Sequence, residues 1–367
     1  MPSRRVSSGP VVLSELIVES RVVGSLGVGF SGFTEVVVAK YLVTGATGFI
    51  GGVVAARLRA AGHDVVAVVR EPARADALAR QGVVLMRGDV TDRESLRAPM
   101  RGVDGVFHLA GWYKIGSRHP EDGVRINVEG TRNVLAVMRE HGIARGVYTS
   151  TLAVHGDTHG QVVDESHRFS GPFESVYDRT KWQAHYEVAL REAADGLPLV
   201  IVQPGLVYGP GDTSSVRTTL RQYLLQQLPL IPARSAYSWG HIDDIADGHI
   251  LAMERGRVGE CYHLAGPVST LTDALQLVER VSGVPGPRFI APPWLLRGLS
   301  AAVTPLAAWL PEQYHPENLR VMAGCTYLGS AHKAERELGW TARPLEAGLG
   351  ETVRHEMRDL GMIPPRG

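Results

Sequence analysis

The sequence predicts an α/β fold in which a doubly wound parallel sheet is followed by a smaller C-terminal lobe. From residue 40 onward, short apolar runs alternate with longer amphipathic stretches, which is the pattern of successive βαβ units. The first apolar run, Tyr41–Thr44, is followed by a glycine-rich turn and then by the amphipathic stretch Phe49–Ala61. Beyond about residue 205 the alternation loosens, and proline and glycine punctuate the chain, which indicates a separate lobe.

Each predicted strand is a short apolar run, and each predicted helix is a longer stretch with apolar residues three and four apart. Right-handed crossovers between parallel strands then place helices on both faces of the sheet. The predicted strands are Tyr41–Thr44, Val65–Val69, Val83–Arg87, Val103–Ala110, Gly146–Ser150 and Leu199–Val202. The predicted helices are Phe49–Ala61, Ala73–Gln81, Val124–His141 and Ser175–Ala194, followed in the smaller lobe by Val216–Gln227, Ile245–Glu254 and Leu271–Val281.

Three parts are predicted along the chain. They are a leader at residues 1–37, a nucleotide-binding domain at 38–204, and a mainly substrate-binding lobe at 205–367 from which some segments return to the domain. Glu15, Glu19 and Arg21 interrupt the apolar runs of the leader, so neither a membrane span nor a signal peptide is expected there. We predict that the leader has no function and is disordered or absent from the native protein, with translation beginning near Val38.

The charge balance argues against a polyanionic partner. Lys+Arg and Asp+Glu are equal at 38 each, and no basic run or base-stacking platform appears, so we expect a small-molecule substrate and no nucleic acid. Cys261 and Cys325 fit a reducing compartment, and a cytoplasmic location is therefore expected. His155, His159 and His167 share a loop-like region without metal-ligand spacing, so no metal site is predicted.

One apolar segment, Pro293–Leu310, needs its own interpretation. Arg297 and Pro305 interrupt it, and it is too short to cross a bilayer comfortably, so no stable membrane span is expected. A helix that covers a substrate pocket is the preferred interpretation, and an interfacial contact with a membrane is the alternative.

The glycine-rich turn after the first strand predicts a dinucleotide site in a Rossmann-type fold. Glycines here permit a tight bend, close approach of backbone N–H groups to a pyrophosphate, and close packing of helix on strand. The N-terminus of the following helix adds partial positive charge for the phosphates. A purely structural turn would need the same residues, so the inference depends on the strand-to-helix context. The predicted cofactor contacts are Gly45, Thr47, Gly48, Phe49, Ile50 and Gly51.

The end of the second strand favours NADP(H), with NAD(H) as the alternative. An NAD site places a carboxylate there for the ribose 2′-OH, whereas an NADP site places a cation for the 2′-phosphate. Here the acidic position is apolar and Arg70 follows it, with Arg74 available for a second contact. A solvated loop cation is the other interpretation of Arg70. Asp89, after the third strand, is predicted either to accept from the adenine amine or to cap the next helix.

Tyr177 and Lys181 form the candidate catalytic pair. They lie four residues apart on a predicted helix and therefore share a face. A free phenol has a pKa of about 10, and a nearby ammonium favours the phenolate, which makes the tyrosine a usable acid or base. Lys181 could also hydrogen-bond the nicotinamide ribose and orient it.

Two further groups are candidates for the same reaction. Thr151, at the end of the fifth strand, is predicted to hold the substrate oxygen, with Ser150 as second choice and backbone hydrogen bonding as the alternative role. Asn127, on the preceding long helix, is predicted to anchor either a proton-relay water or the backbone.

Other motifs accompany these residues along the chain. They are Gly88-Asp89-Val90, His108-Leu109-Ala110-Gly111, Asn127-Val128-Glu129-Gly130-Thr131, Thr149-Ser150-Thr151, Pro204-Gly205-Leu206-Val207-Tyr208-Gly209-Pro210-Gly211-Asp212 and His241-Ile242-Asp243-Asp244-Ile245-Ala246. Together with the glycine turn and the Tyr177/Lys181 pair, they make residues 38–350 resemble the extended short-chain dehydrogenase/reductase family, also called NAD-dependent epimerase/dehydratase. The sequence is most similar to its dihydroflavonol-4-reductase-like and 3β-hydroxysteroid-dehydrogenase-like members.

The resemblance implies a role for each matching residue. Thr151 would hold the substrate oxygen, Tyr177 would be the acid/base and Lys181 its partner. The backbone at Gly205–Val207 would lie against the nicotinamide amide. A homodimer through the helices Val124–His141 and Ser175–Ala194 is also implied, although packing within a monomer would use the same faces. Further cofactor contacts are predicted at Val90, Leu109, Ala110, Gly111, Lys181, Pro204, Gly205 and Val207.

One departure from the family pattern bears on the reaction. Nucleotide-sugar epimerases resembling this chain have an arginine, shortly before the His-Ile-x-Asp motif, that binds the substrate diphosphate, and here that position is Tyr237. Arg234 and Arg217 are the alternative cations, although each is more simply interpreted as a surface residue. We therefore predict an NAD(P)-dependent oxidoreductase that reduces a ketone or aldehyde, or oxidises a secondary alcohol, on a small and fairly apolar molecule. An NAD-dependent nucleotide-sugar epimerase or dehydratase is the first alternative, and a non-catalytic dinucleotide-sensing protein is the second.

Overall fold

Thirteen strands are present in the residues described by the computed structural model, which are 38–310 and 315–363. The predicted leader at 1–37 lies outside the described residues. In chain order the strands are β1 (Lys40–Thr44), β2 (Asp64–Val69), β3 (Val84–Arg87), β4 (Gly105–His108), β5 (Arg145–Thr149), β6 (Leu199–Pro204), β7 (Leu206–Tyr208), β8 (Ile231–Pro232), β9 (Ala236–His241), β10 (Cys261–Leu264), β11 (Val268–Thr270), β12 (Ile290–Ala291) and β13 (Thr326–Tyr327).

Seven of these strands form one parallel sheet in the order β3-β2-β1-β4-β5-β6-β10. The central strands are mainly apolar because helices cover both faces; all six residues of β6, for example, are buried. The strand order reverses between β1 and β4, which creates a crevice at the carboxyl ends of these strands where ligands bind in folds of this class. The predicted Rossmann-type sheet is confirmed.

The helices lie between and around these strands. In chain order they are α1 (Phe49–Ala60), α2 (Asp76–Arg80), α3 (Arg93–Arg97), α4 (Glu121–Gly123), α5 (Gly130–Glu140), α6 (Val176–Trp182), α7 (Leu190–Ala194), α8 (Ser215–Leu224), α9 (Ile242–Arg255), α10 (Leu271–Ser282), α11 (Pro293–Val303), α12 (Pro316–Val321), α13 (His332–Leu338) and α14 (Leu345–Asp359). Shorter 3₁₀ turns span Pro72–Arg74, Leu152–His155 and Thr304–Trp309. The two long predicted helices each contain a π-helical segment, Val124–Glu129 and Gln183–Ala189, that periodicity did not predict.

Two hydrophobic layers hold the helices on the sheet. On one face α1 and α9 bury residues such as Val54, Leu58 and Ile245 against the sheet, and on the other face α5 buries Leu135 and Met138. The helix at Ile245–Glu254 was predicted to belong to the smaller lobe. That prediction is wrong, because the helix packs against the main sheet. The reason is β10, which follows α9 in the chain and pairs with β6, so that the helix serves as a crossover.

The smaller lobe is built on a second sheet. β9 lies at its centre, antiparallel to β11 and parallel to both β7 and β13. Helices α8, α10 and α14 enclose a separate apolar core beside it. The pairing of β13 with β9 places Tyr327 directly opposite Tyr237. This register brings two aromatic side chains from distant parts of the sequence to one place.

Candidate active site

The glycine turn forms a backbone cradle. Neighbouring backbone atoms leave no room for a side chain at Gly45 or Gly51. Gly45 has a φ of +72°, and a Cβ on it would lie 2.6 Å from the backbone nitrogen of Ala110. A Cβ on Gly51 would lie 2.2 Å from the carbonyl oxygen of Gly45, so helix α1 can pack this closely on β1 only with glycine there. Gly48 is the N-cap of α1, and its N–H donates to the Gly45 carbonyl at 2.9 Å. This geometry fits a pyrophosphate held by backbone groups at the N-terminus of α1.

The other residues predicted in the turn surround this cradle. Thr47 and Gly48 are exposed at the mouth of the turn, whereas Phe49 and Ile50 are partly buried in the first turn of α1. A groove of about 570 Å³ runs from Thr47 and Gly48 along α1 to Arg74 and Ala75. The loop and its flank therefore leave space for an extended ligand.

Residues at the ends of β2 and β3 lie at the far side of the turn. Arg70 is exposed immediately after β2, and Arg74 forms an ion pair with Glu71 at 2.9 Å. The Asp89 carboxylate accepts hydrogen bonds from both the N–H and the hydroxyl of Thr91 at 2.9 Å. The prediction that Asp89 caps the next helix is wrong, because Asp92 caps α3 instead. Binding of the adenine amine by Asp89 stays a prediction.

The segment after β4 closes the crevice on its other side. Leu109 and Ala110 are partly buried beside Gly45, and Gly111 is exposed. The Ala110 N–H donates to the Thr44 hydroxyl at 3.2 Å, which ties this segment to the end of β1. Val90 is buried next to it and supports the cleft through packing.

The backbone after β6 also reaches the crevice. Pro204 ends β6 and is buried, and the N–H of Gly205 donates to the Leu264 carbonyl at 3.2 Å. A Cβ on Gly205 would lie 2.1 Å from the carbonyl oxygen of Ser238, so glycine permits β9 to approach. Val207 is partly buried and pairs with β9. Contact of this backbone with a nicotinamide amide stays a prediction.

Tyr177, Lys181 and Thr151 come together at the carboxyl end of β5. Ser175 caps α6 by accepting from the Asp178 N–H at 3.1 Å, which sets the start of the helix that carries Tyr177. The Thr151 side chain lies near the Tyr177 phenol and acts to lower its pKa. Lys181 is buried one turn later, and its ammonium donates to the Thr149 carbonyl at 2.8 Å.

Burial controls the proton affinities of this pair. It raises the pKa of Tyr177 to about 12, while the nearby Thr151 side chain opposes that rise. Burial also lowers the pKa of Lys181 to about 7. A nearby ammonium was expected to favour the phenolate, whereas in the structure burial has the largest effect and raises the Tyr177 pKa. Tyr177 is therefore protonated at neutral pH, which suits a proton donor.

A buried chain of contacts, which sequence reasoning missed, continues from Lys181 to the glycine turn. The Lys181 ammonium lies 3.4 Å from the Tyr148 hydroxyl, and the Tyr148 ring stacks on His108 with centroids 5.5 Å apart. His108 contacts Thr131 through Nε2 at 3.1 Å and the Thr44 hydroxyl through Nδ1 at 2.8 Å. Burial lowers the pKa of His108 to about 3, so the ring is neutral and joins the chain as a hydrogen-bonding group. These contacts connect the catalytic helix to the strand that precedes the cofactor turn.

Asn127 is fully buried and its amide contacts protein groups. Its Oδ1 accepts from the Trp112 N–H at 2.7 Å, and its Nδ2 donates to the Trp112 carbonyl at 2.9 Å and to the Thr180 hydroxyl at 3.0 Å. These are the backbone contacts that the sequence analysis gave as one of its two alternatives. Asn127 thereby joins the loop after β4 to the catalytic helix.

The second-choice hydroxyl, Ser150, is placed differently from Thr151. Its Oγ is buried and has no hydrogen-bonding partner among the described residues. Thr151 accepts from the Ala153 N–H at 3.2 Å and is only partly buried. Because Thr151 is more exposed than Ser150 and lies near Tyr177, it is the better candidate for the hydroxyl that binds a substrate.

An aromatic wall, Tyr237 and Tyr327, stands beside Tyr177. The two rings are nearly parallel, with an interplanar angle of 7° and centroids 6.2 Å apart. Together with Ala153 and Cys325 they form the apolar cluster against which Tyr177 packs. The Tyr327 hydroxyl donates to Asp178 Oδ2 at 3.3 Å. Tyr327 and Asp178 carried no sequence signal, because their importance arises from the pairing of β13 with β9.

Asp178 makes the stability of the fold dependent on pH. Burial raises its pKa to about 7, above the value of about 3.9 in an unfolded chain. Between these values the folded protein binds a proton that the unfolded chain lacks, so this contribution to stability is complete below about pH 3.9 and lost as pH rises through 7. We expect the free energy of unfolding, measured with urea, to fall between about pH 4 and pH 7 more steeply than in Asp178→Asn. Equal pH slopes in the two proteins would contradict this assignment.

His155, in the 3₁₀ turn after β5, makes hydrogen bonds through both ring nitrogens. His155 Nε2 lies 2.9 Å from His263 Nε2 and 3.0 Å from the Gln203 amide nitrogen. His155 Nδ1 contacts the His167 carbonyl oxygen at 3.2 Å. His241 instead caps α9 by accepting from the Asp243 N–H at 3.3 Å.

Comparisons with known proteins agree with this arrangement. Residues 41–265 match the NAD dependent epimerase/dehydratase family. The chain is 32% identical to a putative dihydroflavonol 4-reductase of Synechocystis sp., over 88% of this chain and 96% of the relative. It is 31% identical to sterol demethylase protein B of Methylococcus capsulatus, over 88% of this chain and 99% of that protein.

A solved structure shares the fold across the same region. The crystal structure of gox2253 superposes with a TM-score of 0.77 at 30% sequence identity, and covers 89% of this chain and 99% of its own. The superposed region of this chain includes both the main sheet and the smaller lobe. The chain belongs to the NAD dependent epimerase/dehydratase family, whose members are NAD(P)-dependent oxidoreductases and epimerases.

Proposed function

We propose that this protein is an NADPH-dependent reductase of a ketone or aldehyde on a small, apolar molecule, or catalyses the reverse oxidation of a secondary alcohol. The observation that carries the proposal is the aromatic wall beside Tyr177. Tyr237 occupies the position at which epimerases of this family are expected to hold a diphosphate through arginine, and it stacks on Tyr327. A ring pair in this place favours contact with an apolar, planar substrate and offers no cation for a diphosphate.

Each residue has a defined task in this reaction. The Thr151 hydroxyl holds the substrate oxygen, and the protonated Tyr177 phenol gives its proton to that oxygen. Lys181, held by the Thr149 carbonyl, fixes the face of α6 from which Tyr177 projects. When bound along the glycine turn, the nicotinamide cofactor supplies the hydride.

The names of the relatives agree with an apolar substrate. One is a putative reductase of a dihydroflavonol, and another is named for a sterol. Both substrate types contain planar or fused rings, which an aromatic wall can contact over a large area. We therefore infer a ring-containing carbonyl compound as the substrate class.

A panel assay separates this proposal from its alternatives. Purified protein is mixed with NADPH or NADH and with flavonoid, steroid and simple aromatic ketones, while nicotinamide absorbance is followed. The proposal expects cofactor consumption with at least one ring ketone. Interconversion of a nucleotide sugar without net cofactor consumption would instead indicate an epimerase. Binding of the dinucleotide with no turnover of any compound would indicate a sensing protein.

The preference for NADPH is tested at Arg70. The side chain is exposed at the end of β2, where it can reach a ribose 2′-phosphate. We expect Arg70→Ala to raise KM for NADPH about tenfold and to leave KM for NADH about unchanged, because only NADPH carries the phosphate. Arg80→Ala, which removes an exposed arginine from α2, is the control and should change neither value. A wild-type enzyme that uses NADH at least as well as NADPH would refute the preference.

A further inference from the structure

Helix α11 is mainly apolar on its solvent-exposed side as well as on its buried side. Its single hydroxyl, that of Ser300, is buried and donates to the Pro316 carbonyl at 2.9 Å, whereas the indole of Trp294 is 73% exposed. Outward positions of a surface helix ordinarily carry charged or polar side chains. Here the exposed residues are Trp294, Arg297, Gly298, Leu299, Ala301 and Ala302, which include one polar side chain.

The exposed apolar surface extends beyond the helix at both ends. We define the apolar patch as Phe289, Ile290, Trp294, Leu299, Leu306 and Trp309, all of which are at least 43% exposed. Trp309, in the 3₁₀ turn after α11, is 78% exposed. Exposed large side chains are ordinary when scattered singly, but six within about twenty residues of one segment indicate a surface for binding.

The charge of the same segment is one-sided. Residues 284–310 include Arg288 and Arg297 but no aspartate or glutamate. Both arginines are exposed, and the nearest ion pair, from Arg297 to Glu174, is long at 3.9 Å. Exposed tryptophans flanked by cations match the boundary of a bilayer with anionic headgroups, where indole rings are amphipathic and guanidinium groups meet phosphate. A neutral protein partner would not require this charge bias.

We infer that the apolar patch docks on the surface of an anionic lipid bilayer, as an interfacial contact. No described helix is long and apolar enough to cross a membrane, so the contact is peripheral. The inference is independent of the proposed reaction, because it rests on α11 and its flanks alone.

The location of the patch relates it to the catalytic helix. Helix α12 packs against α11, and its Glu317 carboxylate accepts from the Gly116 N–H at 3.0 Å and the Val176 N–H at 3.3 Å. These two N–H groups belong to the loop after β4 and to the first residue of α6. A protein docked through α11 would therefore hold the catalytic side of the molecule close to the lipid surface.

Co-sedimentation with vesicles tests the inference. The full chain is mixed with phosphatidylcholine vesicles, with or without phosphatidylglycerol. We expect sedimentation with the anionic vesicles, and a loss of affinity of about tenfold or more in Trp294→Ser/Trp309→Ser. Val258→Ser, which alters a residue 49% exposed before β10, is the matched control and should bind like the wild type. Arg297→Gln should weaken binding to the anionic vesicles only.

Three results would overturn the inference. Wild-type protein that remains in the supernatant with both vesicle types has no affinity for lipid. Equal sedimentation of the wild type and the double variant would place lipid binding elsewhere on the chain. A wild-type dimer that becomes monomeric in the double variant, as measured by light scattering, would assign the patch to self-association. Leu306→Ser gives a second variant if the double substitution prevents folding.

Discussion

Replacing Tyr177 by phenylalanine is expected to lower the rate of carbonyl reduction by about 10²–10⁴-fold while leaving cofactor binding intact. The substitution removes the hydroxyl that lies near Thr151 and retains the ring that packs against Ala153 and Cys325. The fold should therefore persist, and the loss should appear in kcat more than in KM. Stopped assays with a ketone identified in the panel, together with dinucleotide fluorescence titration, provide the two measurements.

Tyr223→Phe is the matched control for this experiment. Its hydroxyl also makes one hydrogen bond, to the Val284 carbonyl at 3.1 Å, but it lies in the core of the smaller lobe. We expect nearly unchanged activity from this variant. If Tyr177→Phe retained wild-type kcat, the phenol would have no role in proton transfer, and the assignment of the site would be wrong.

Replacing Gly51 by alanine is expected to abolish dinucleotide binding and to destabilise the fold by about 1–3 kcal/mol. The new methyl group would lie 2.2 Å from the Gly45 carbonyl oxygen, which belongs to the backbone and cannot rotate away. Helix α1 must then move off β1, and the cradle at its N-terminus opens. Fluorescence titration with NADPH and urea unfolding measure the two effects.

Gly298→Ala is the control, because it places the same methyl group in the exposed helix α11. A Cβ there meets nothing within 4 Å, so the substitution should be neutral or stabilise the protein by up to about 1 kcal/mol through helix propensity. If Gly51→Ala bound NADPH as tightly as the wild type, the close packing of α1 on β1 would not form the cofactor site.

The local pattern of apolar residues along the chain was sufficient to predict the main sheet. Six of its strands contain short runs of apolar residues, and such runs are recognisable without knowledge of their neighbours. The same reasoning failed for α9. An amphipathic helix indicates that one face is buried but not which sheet buries it, and the pairing of β10 with β6 decided that question.

The sequence predicted those parts of the candidate site that depend on spacing along the chain. Tyr177 and Lys181 share a helix, and the glycines share one turn, so their proximity follows from local geometry. The aromatic wall and the buried chain through Tyr148 and His108 depend on contacts between distant strands and helices, to which periodicity is insensitive. For the same reason, the effect of burial on the pKa of Tyr177 appeared only in the folded structure.

The central claim is that the Tyr177 phenol protonates a carbonyl oxygen on an apolar substrate that rests against Tyr237 and Tyr327. The most direct test is to quantify the alcohol formed against the NADPH oxidised, for ring ketones and for UDP-glucose under the same conditions. We predict equal amounts of alcohol and oxidised cofactor with a ring ketone, and no reaction of the nucleotide sugar. Conversion of UDP-glucose to its epimer with unchanged NADPH, and no ketone reduced, would contradict the account.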